Sequence, residues 1–173
     1  MFRLECDIII NESPEVVWAF VANLPMSLTC HQPRLRFHWI GNVKIDVGGR
    51  YLLDYRLPVI TLRKEGRITL WDPPTALTMA LWNQSHPRRG FARQQRFKIK
   101  TVEGQSNATV LQIAITGSRS PWFFEMLYKE IVRRSVQNHL EALKRVIEST
   151  EKSGRIQRDS AHQLAGIPAA SSG

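Results

Sequence analysis

The chain has 173 residues, of which 43% are hydrophobic, so length and composition indicate one globular domain with a sizeable core. Lysine and arginine number 24 against 15 aspartates and glutamates, and the net charge of +9 makes a nucleic acid or an anionic surface a candidate partner. No apolar run reaches the ~18–20 residues of a membrane span, and two distant cysteines, Cys6 and Cys30, form no disulfide framework. We therefore expect a cytoplasmic protein with free thiols and no transmembrane segment.

The N-terminal segment predicts a strand that leads directly into a helix. Residues 3–10, "RLECDIII", have the composition of a strand. Ser13 is a favourable N-cap, and Pro14 fits the first helical position, where its missing N–H costs nothing. Pro25 is expected to interrupt the helix, and "MSLTCHQ" predicts a second short helix that ends at Pro33.

Strand patterns then follow one another without a break long enough for a helix. Apolar and polar residues alternate in each, so each strand has one dry face and one wet face. The stretches are "RLRFHWIG", "RYLLDYRL", "ITLRKEGRITLW", "TALTMALW", "FARQQRFKIK" and "ATVLQIAIT". With the first strand they predict an antiparallel sheet of about seven strands, whose dry face requires a cover.

The cover is predicted in the C-terminal part of the chain. Residues 121–149 begin with Pro121, contain no further proline or glycine, and predict one long helix. Its predicted apolar stripe consists of Phe124, Tyr128, Ile131, Val132, Val136, Leu140, Leu143 and Ile147. Residues 151–173 are small and polar, and we expect them to form a disordered tail after a single domain of residues 1–150.

Three stretches resemble the START-like helix-grip superfamily, which includes birch-allergen-like proteins and the polyketide cyclase/dehydrase family. "IIINESPEVVWAFVANLPM" is similar to its segment after the first strand, "GGRYLLDY" to the strand after its Gly-rich turn, and "VQNHLEALKRVIES" to its closing helix. The resemblance covers roughly residues 3–149. It implies an α+β fold in which a curved antiparallel sheet wraps around a long C-terminal helix, with two short helices after the first strand. It also implies an internal cavity for a hydrophobic or aromatic molecule, and no common catalytic motif.

Inward positions follow from strand parity and helix spacing. Phe97 and Ile99 set the inner face of one strand, and Arg93 and Gln95 share their parity. Polar side chains in an apolar cavity commonly orient a ligand. The predicted ligand-binding residues are Phe37, Trp39, Tyr51, Leu53, Tyr55, Met79, Leu81, Arg93, Gln95, Phe97, Ile113, Phe124, Tyr128 and Ser135.

Three inward polar residues are candidates for catalysis. Arg93 or the Tyr55 hydroxyl would stabilise an enolate, and His139 would move a proton while the cavity holds the substrate in a reactive conformer. Each has an alternative: His139 as a satisfied core histidine, Tyr55 as a wall residue, and Arg93 paired, extended to water or bound to an anionic or carbonyl ligand. Ser135 has the alternative of bonding back to its own helix. Lys64 also has inward parity, but we expect its ammonium to reach water near a strand end.

Two classes of function stay open. The first is a protein that encloses a small hydrophobic, aromatic, polyketide- or lipid-like molecule, either as a carrier or as a cyclase or aromatase that needs no metal or nucleotide. The second is a non-catalytic factor, such as a quinone carrier or a ribosome-associated protein, that uses its basic outer face. The basic stretch "HPRRGFARQQRFK" alternates so that its phenylalanines point to the core, which favours a wet sheet face over a nucleic-acid stripe.

The sequence contains no pattern that indicates a metal or a cofactor. Cys30-His31 lacks a third orienting group, and the cysteines and histidines lack metal-ligand spacing. Walker and Rossmann glycine patterns are absent. We therefore expect no metal and no cofactor, and the sequence leaves the ligand, the oligomeric state and the choice between carrier and enzyme open.

Overall fold

The computed structural model describes residues 2–41, 45–56, 61–83, 93–117 and 122–165, with residues 122–128 and 151–165 described by their backbone only. The elements in chain order are β1 (Phe2–Ile10), α1 (Pro14–Ala22), α2 (Leu24–Thr29), β2 (Leu35–Trp39), β3 (Arg50–Arg56), β4 (Thr61–Asp72), β5 (Ala76–Asn83), β6 (Arg93–Val102), β7 (Gln105–Gly117) and α3 (Trp122–Ala165). Among these described helices, none is both long enough and apolar enough to cross a membrane.

The strands form one antiparallel sheet in the order β1-β7-β6-β5-β4-β3-β2. Strands β2 to β7 are a meander in which each strand pairs with the next along the chain, and β1 returns to pair with β7. Before β3 the chain turns at Gly48, whose φ of 92° is one that other residues adopt only with strain. The predicted α+β helix-grip architecture of about seven strands is confirmed.

The two short helices after β1 begin at side-chain caps. Ser13 Oγ accepts a hydrogen bond from the Val16 N–H at 3.4 Å, and Asn23 Oδ1 accepts one from the Met26 N–H at 3.4 Å. The prediction that Pro25 separates the helices was wrong in detail, because Pro25 lies in the first turn of α2, where it needs no N–H.

One side of α3 joins the core formed by the inner face of the sheet. Its buried residues are Val132, Val136, Leu140, Leu143 and Ile147. Ile131 was predicted in this stripe but is 59% exposed, because it lies beside the row of positions that face the sheet. The backbone stays helical past Ser149 to Ala165, further than predicted, since Gly154 alone does not end a run of good helix formers. That residues 1–150 form the domain and 151–173 a tail outside it stays a prediction.

An aromatic cluster fills part of the space inside the sheet. The ring of Tyr51, which is fully buried, stacks on Phe37 with centroids 5.1 Å apart, and Trp39 packs edge-on against both rings. The Tyr51 hydroxyl donates a hydrogen bond to Met79 Sδ at 3.1 Å. Gly66 is opposite Tyr51 on β4, and a Cβ at this position would lie 2.2 Å from Tyr51 Cζ. The ring therefore occupies the volume that a side chain at position 66 would need.

Candidate functional site

A cavity of about 70 Å³ lies between the inner face of the sheet and α3. Strands β2 to β6 form one wall, the end of α2 and the residues after it form a second, and α3 forms a third. The lining residues are Leu28, His31, Gln32, Leu35, Leu53, Tyr55, Lys64, Leu81, Arg93, Gln95, Ser135, Val136 and His139. Aliphatic side chains and ionisable side chains therefore face the same space.

A wider and more open recess of about 340 Å³ adjoins the cavity on the side of β2 and β3. The two spaces share the lining residues His31, Gln32, Leu35 and Tyr55. The recess adds Pro33, Arg34 and Arg56 to its own lining. A molecule that enters the cavity through this recess would pass two arginines before it reaches the inner groups.

His139 projects from α3 and is buried. Its Nε2 donates a hydrogen bond to the backbone carbonyl of Ser27 in α2 at 2.6 Å, because a carbonyl oxygen can only accept. The pKa of His139 is lowered to about 4, mainly by burial. The nearby His31 and Arg93 also lower it, and the hydrogen bond to the Ser27 carbonyl has the opposite effect. At neutral pH the imidazole is therefore uncharged, with Nε2 protonated and Nδ1 as the proton acceptor.

His31 lies directly after α2 and stacks on His139, with ring centroids 4.3 Å apart and planes inclined by 14°. Burial lowers the pKa of His31 as well. Its Nδ1 is buried and has no hydrogen-bond partner among the described residues. Since a buried polar atom without a partner is costly, this nitrogen is a candidate contact for a ligand atom.

Two cationic side chains line the cavity, Lys64 from β4 and Arg93 from β6. Arg93 is opposite Leu81 on β5 and Gly117 on β7, which puts it on the inner face as its parity predicts. Lys64 is opposite Leu53 within the β3–β4 ladder and lines the cavity, and the expectation that its ammonium reaches water stays a prediction. Burial lowers the pKa of Lys64, and Arg93 lowers it further by like-charge repulsion.

Three further predicted residues lie around the same space. The Lys64 ammonium lies over the Tyr55 ring in a cation–π contact, with Nζ 5.1 Å from the ring centroid. Gln95 is buried on the inner face of β6. Ser135 lies on α3 four residues before His139, at the exposed edge of the cavity. Their roles in ligand binding stay predictions, as do the catalytic roles of Tyr55, Arg93 and His139.

Among the described residues, the structure brings together a group of potential metal ligands that the sequence spacing did not indicate. Cys30, His31 and His139 offer ligand atoms that lie within 4.8 Å of one another. The lone pair of an imidazole nitrogen lies in the ring plane, and two nearly parallel stacked rings cannot both direct a lone pair at one ion. Burial also raises the pKa of the Cys30 thiol, whose Sγ donates to the Ser27 carbonyl at 3.5 Å, so the thiolate form is disfavoured. This arrangement fits neither a metal centre nor an activated cysteine.

Other predicted ligand-binding residues lie elsewhere. Phe37, Trp39, Tyr51, Met79, Phe97 and Ile113 pack in or against the core and do not line this cavity. Inward parity places these side chains on the correct face of the sheet, but the aromatic cluster fills its own part of that face. The side chains of Phe124 and Tyr128 are outside the described part of the structure.

Several lining residues were not predicted as ligand contacts from the sequence. They are Leu28, His31, Gln32, Leu35, Lys64 and Val136. The residues from 28 to 32 belong to α2 and the segment after it, where no strand parity exists to indicate which side chains point inward. For Leu35, Lys64 and Val136 the parity or the apolar stripe was available, and it could have identified them.

No protein-family profile and no curated protein sequence matches the chain. Solved structures do match its fold. Ara h 8.0201 superposes with a TM-score of 0.65 at 13% identity, covering 86% of this chain and 98% of that chain. Norcoclaurine synthase from Thalictrum flavum, in complex with dopamine and hydroxybenzaldehyde, gives 0.65 at 12% identity, with coverages of 86% and 87%. A conserved protein from Geobacillus kaustophilus gives 0.65 at 9% identity, with coverages of 86% and 97%.

These likenesses extend over most of both chains in each pair, although few residues are identical. Together with the sheet order and the long C-terminal helix, they show that the protein has the helix-grip fold. The resemblance stated from the sequence is thereby confirmed at the level of fold.

Proposed function

We propose that the protein binds a small organic molecule with an apolar body in the cavity between the sheet and α3. The observation that carries this proposal is the lining itself. Leucine and valine side chains come from both the sheet and the helices, and polar side chains, which outnumber the aliphatic ones, converge on the same space. A concave site that combines apolar walls with convergent polar groups is typical of small-molecule binding.

The sizes of the two spaces support a ligand that occupies both. Small-molecule sites usually measure about 300–1,000 Å³, and the enclosed cavity of about 70 Å³ is smaller than this range. The adjoining recess of about 340 Å³ supplies the missing volume. A ligand of one or two rings, with one end in the cavity and its body in the recess, therefore fits better than a long polyketide that is fully enclosed.

A protein of the same fold gives independent support for an aromatic ligand. Norcoclaurine synthase from Thalictrum flavum has been solved in complex with dopamine and hydroxybenzaldehyde, two small aromatic molecules. At 12% identity this likeness concerns the fold, and the place where its ligands are enclosed is sought here in the cavity between the sheet and α3.

Catalysis on such a molecule is the second candidate function, and the tautomer of His139 favours it. Nε2 is held by the Ser27 carbonyl, so Nδ1 of the neutral imidazole can accept a proton from a bound molecule. Arg93 would stabilise the enolate that forms, and the Tyr55 hydroxyl would orient it. The reaction would be a proton transfer within a cyclase- or aromatase-like step.

Binding is tested with naphthalene-2-acetamide, an uncharged aromatic probe, by calorimetric titration of the full chain. Val136 is buried in the cavity wall, and Val136→Phe would fill the cavity from the α3 side. We expect this substitution to weaken binding at least about tenfold, because the ring would occupy the probe's position. Native mass spectrometry of protein purified from its own source would identify the natural ligand.

The matched control is Ile131→Phe, the same ring at an exposed position of the same helix. It should leave the affinity unchanged. If Val136→Phe does not fold, Leu81→Phe introduces the ring from β5 instead. Equal affinity of the wild-type protein and a folded cavity-filling variant would contradict the proposed function.

A further inference from the structure

We propose that the ligand of this cavity is an organic anion, and that a carboxylate or enolate at one end of it lies among His31, Lys64 and Arg93. This inference rests on the proposed function and specifies the chemical class of the ligand. It begins from the ionisable groups at the cavity. All of those that could carry a full charge at neutral pH are cationic, and the described lining contains no aspartate or glutamate.

The nearest carboxylates on the same strands point away from the cavity. Asp54 lies next to Leu53 and Tyr55 on β3, and strand alternation places it on the opposite face of the sheet. There it accepts hydrogen bonds from Arg63 at 2.7 and 3.0 Å. The sheet thus keeps this acidic group and its partner on one face and leaves the inner cations on the other.

Glu65 follows the same rule on β4. It is adjacent to Lys64 in sequence and therefore lies on the other face, where it accepts hydrogen bonds from Arg50 at 2.8 and 2.6 Å. Neither carboxylate neutralises the cavity. A bound anion would bring a negative charge to a cavity whose described lining has no carboxylate.

The electrostatic state of the inner groups supports the same reading. Lys64 and Arg93 are close enough that their repulsion lowers the pKa of Lys64, and Arg93 also disfavours a proton on His139. A cation would meet the same repulsion at this place. A carboxylate would instead attract both side chains and could accept a hydrogen bond from His31 when the buried Nδ1 of that ring carries the proton.

The outer recess continues the positive lining towards solvent. Arg34 and Arg56 lie at its wall, and the backbone N–H of Arg56 donates to the carbonyl of Arg34 at 3.1 Å, which holds the two strands together there. Positive groups that line a concave path raise the local concentration of anions and speed their association. The aliphatic walls formed by Leu28, Leu35 and Val136 then match an apolar body. The ligand class is therefore amphipathic, with an apolar body and one anionic end.

The test compares naphthalene-2-acetate with naphthalene-2-acetamide, which share one shape and differ in charge. We expect the wild-type protein to bind the acetate at least about tenfold more tightly, because a hydrogen bond to a charged group is the stronger kind. Lys64→Met and Arg93→Met should each reduce the ratio of acetate affinity to acetamide affinity, because each removes a positive charge that attracts the carboxylate. Lys100→Met makes the same charge change at an exposed position of β6 and should keep the preference.

The outcomes separate this inference from the proposed function. If the wild-type protein binds the two probes with equal affinity, the inference that the ligand is an anion is overturned, and the cavity still stands as a binding site. Failure of both probes would overturn the proposed function with it. An equal loss of preference in Lys100→Met would overturn the assignment to Lys64 and Arg93, since the effect would then come from net charge. The comparison in the wild-type protein needs no variant, so it stands even if a substitution prevents folding.

Discussion

The imidazole of His139 is held between a carbonyl that fixes its tautomer and surroundings that resist its protonation. Ser27 accepts from Nε2, while burial, the stacked ring of His31 and the charge of Arg93 all favour the neutral form. Replacing His139 therefore changes two properties, the contact between α2 and α3 and the response of the fold to acid. The dependence of the free energy of unfolding on pH distinguishes these two effects.

We predict that His139 makes the fold less stable in acid. In the unfolded chain the histidine takes up a proton below pH 6.5, whereas in the folded protein it does so only near its pKa of about 4. Protons therefore favour the unfolded state across this window. The contribution of His139 to the free energy of unfolding is complete above pH 6.5 and falls by up to about 1.4 kcal/mol per pH unit below it.

The measurement is the free energy of unfolding in urea for the wild-type protein and His139→Gln between pH 6.5 and about 4. The difference in free energy of unfolding between the two proteins should shrink as the pH falls. Only the wild-type protein has a histidine at position 139 that is protonated in the unfolded state and neutral in the folded state, so only it loses stability for this reason. Other titrating groups, such as Asp54, are common to both and cancel. A difference that is constant with pH would show that His139 has an ordinary pKa.

Gly66 is a second residue whose role is defined by one contact. A Cβ there would lie 2.2 Å from Tyr51 Cζ, and the ring has no room to retreat because it stacks on Phe37. We expect Gly66→Ala to lower the free energy of unfolding by about 2–3 kcal/mol, the usual cost of overpacking a well-filled core.

A double-mutant cycle measures whether this cost comes from the ring. In a Tyr51→Leu background, which removes the ring, Gly66→Ala should cost well under half as much. The readout is the urea midpoint of all four proteins. An undiminished cost in the Tyr51→Leu background would place the effect in the backbone of β4 and contradict the steric account.

At the scale of the elements, α1 depends on the N-cap residue that precedes it. The helix has nine residues, and Ser13 Oγ accepts from the Val16 N–H at its start. Ser13→Ala removes that acceptor and should cost about 1 kcal/mol, while Ser13→Asp keeps an acceptor and adds a favourable charge at the helix N-terminus. Urea unfolding of the three proteins checks this order. Equal midpoints for Ser13→Ala and the wild-type protein would show that water replaces the cap.

The elements themselves could largely be predicted, because their signals are local. Alternation in each strand defined which side chains face inward, and the register places Arg93, Gln95 and Phe97 on that face as expected. The errors fall where a local rule is ambiguous. Pro25 suits the first turn of a helix as well as the end of one, and Ile131 lies at the margin of an apolar stripe that is otherwise buried.

The candidate site could be predicted only in part, because it is made where separate elements meet. Parity indicated Leu53, Leu81 and Arg93 at the cavity, but it could not show that Tyr51 and Phe37 fill their own space by stacking. The stacking of His31 on His139 joins the segment after α2 to α3. No periodicity relates two such distant segments, so their contact depends on the assembled fold.

At the scale of the whole molecule, the net charge of +9 is not spread evenly over an outer surface. Lys64 and Arg93 face the cavity, while Arg50 and Arg63 on the outer face are paired with Glu65 and Asp54. The hypothesis of a ribosome- or membrane-associated factor assigned the basic excess to the outside. Lys64 and Arg93 place two of the nine excess positive charges at the cavity, where they support an anionic ligand, and the remaining excess keeps an anionic surface as a candidate partner.

The pairing of the first strand with the last has a consequence for how the protein is made. β1 lies against β7, and beside this pair the Thr109 hydroxyl donates to the carbonyl of Glu12, 97 positions away in the chain. During synthesis the N-terminal strand emerges first, yet its partner is complete only when Gly117 has left the ribosome. Until then β1 has no neighbouring strand, and its inner side chains, among them Ile8 and Ile10, wait for α3, which follows β7 in the chain. The nascent chain thus carries an unpaired apolar strand while the segments between β1 and β7 are made, and an unpaired apolar strand favours aggregation.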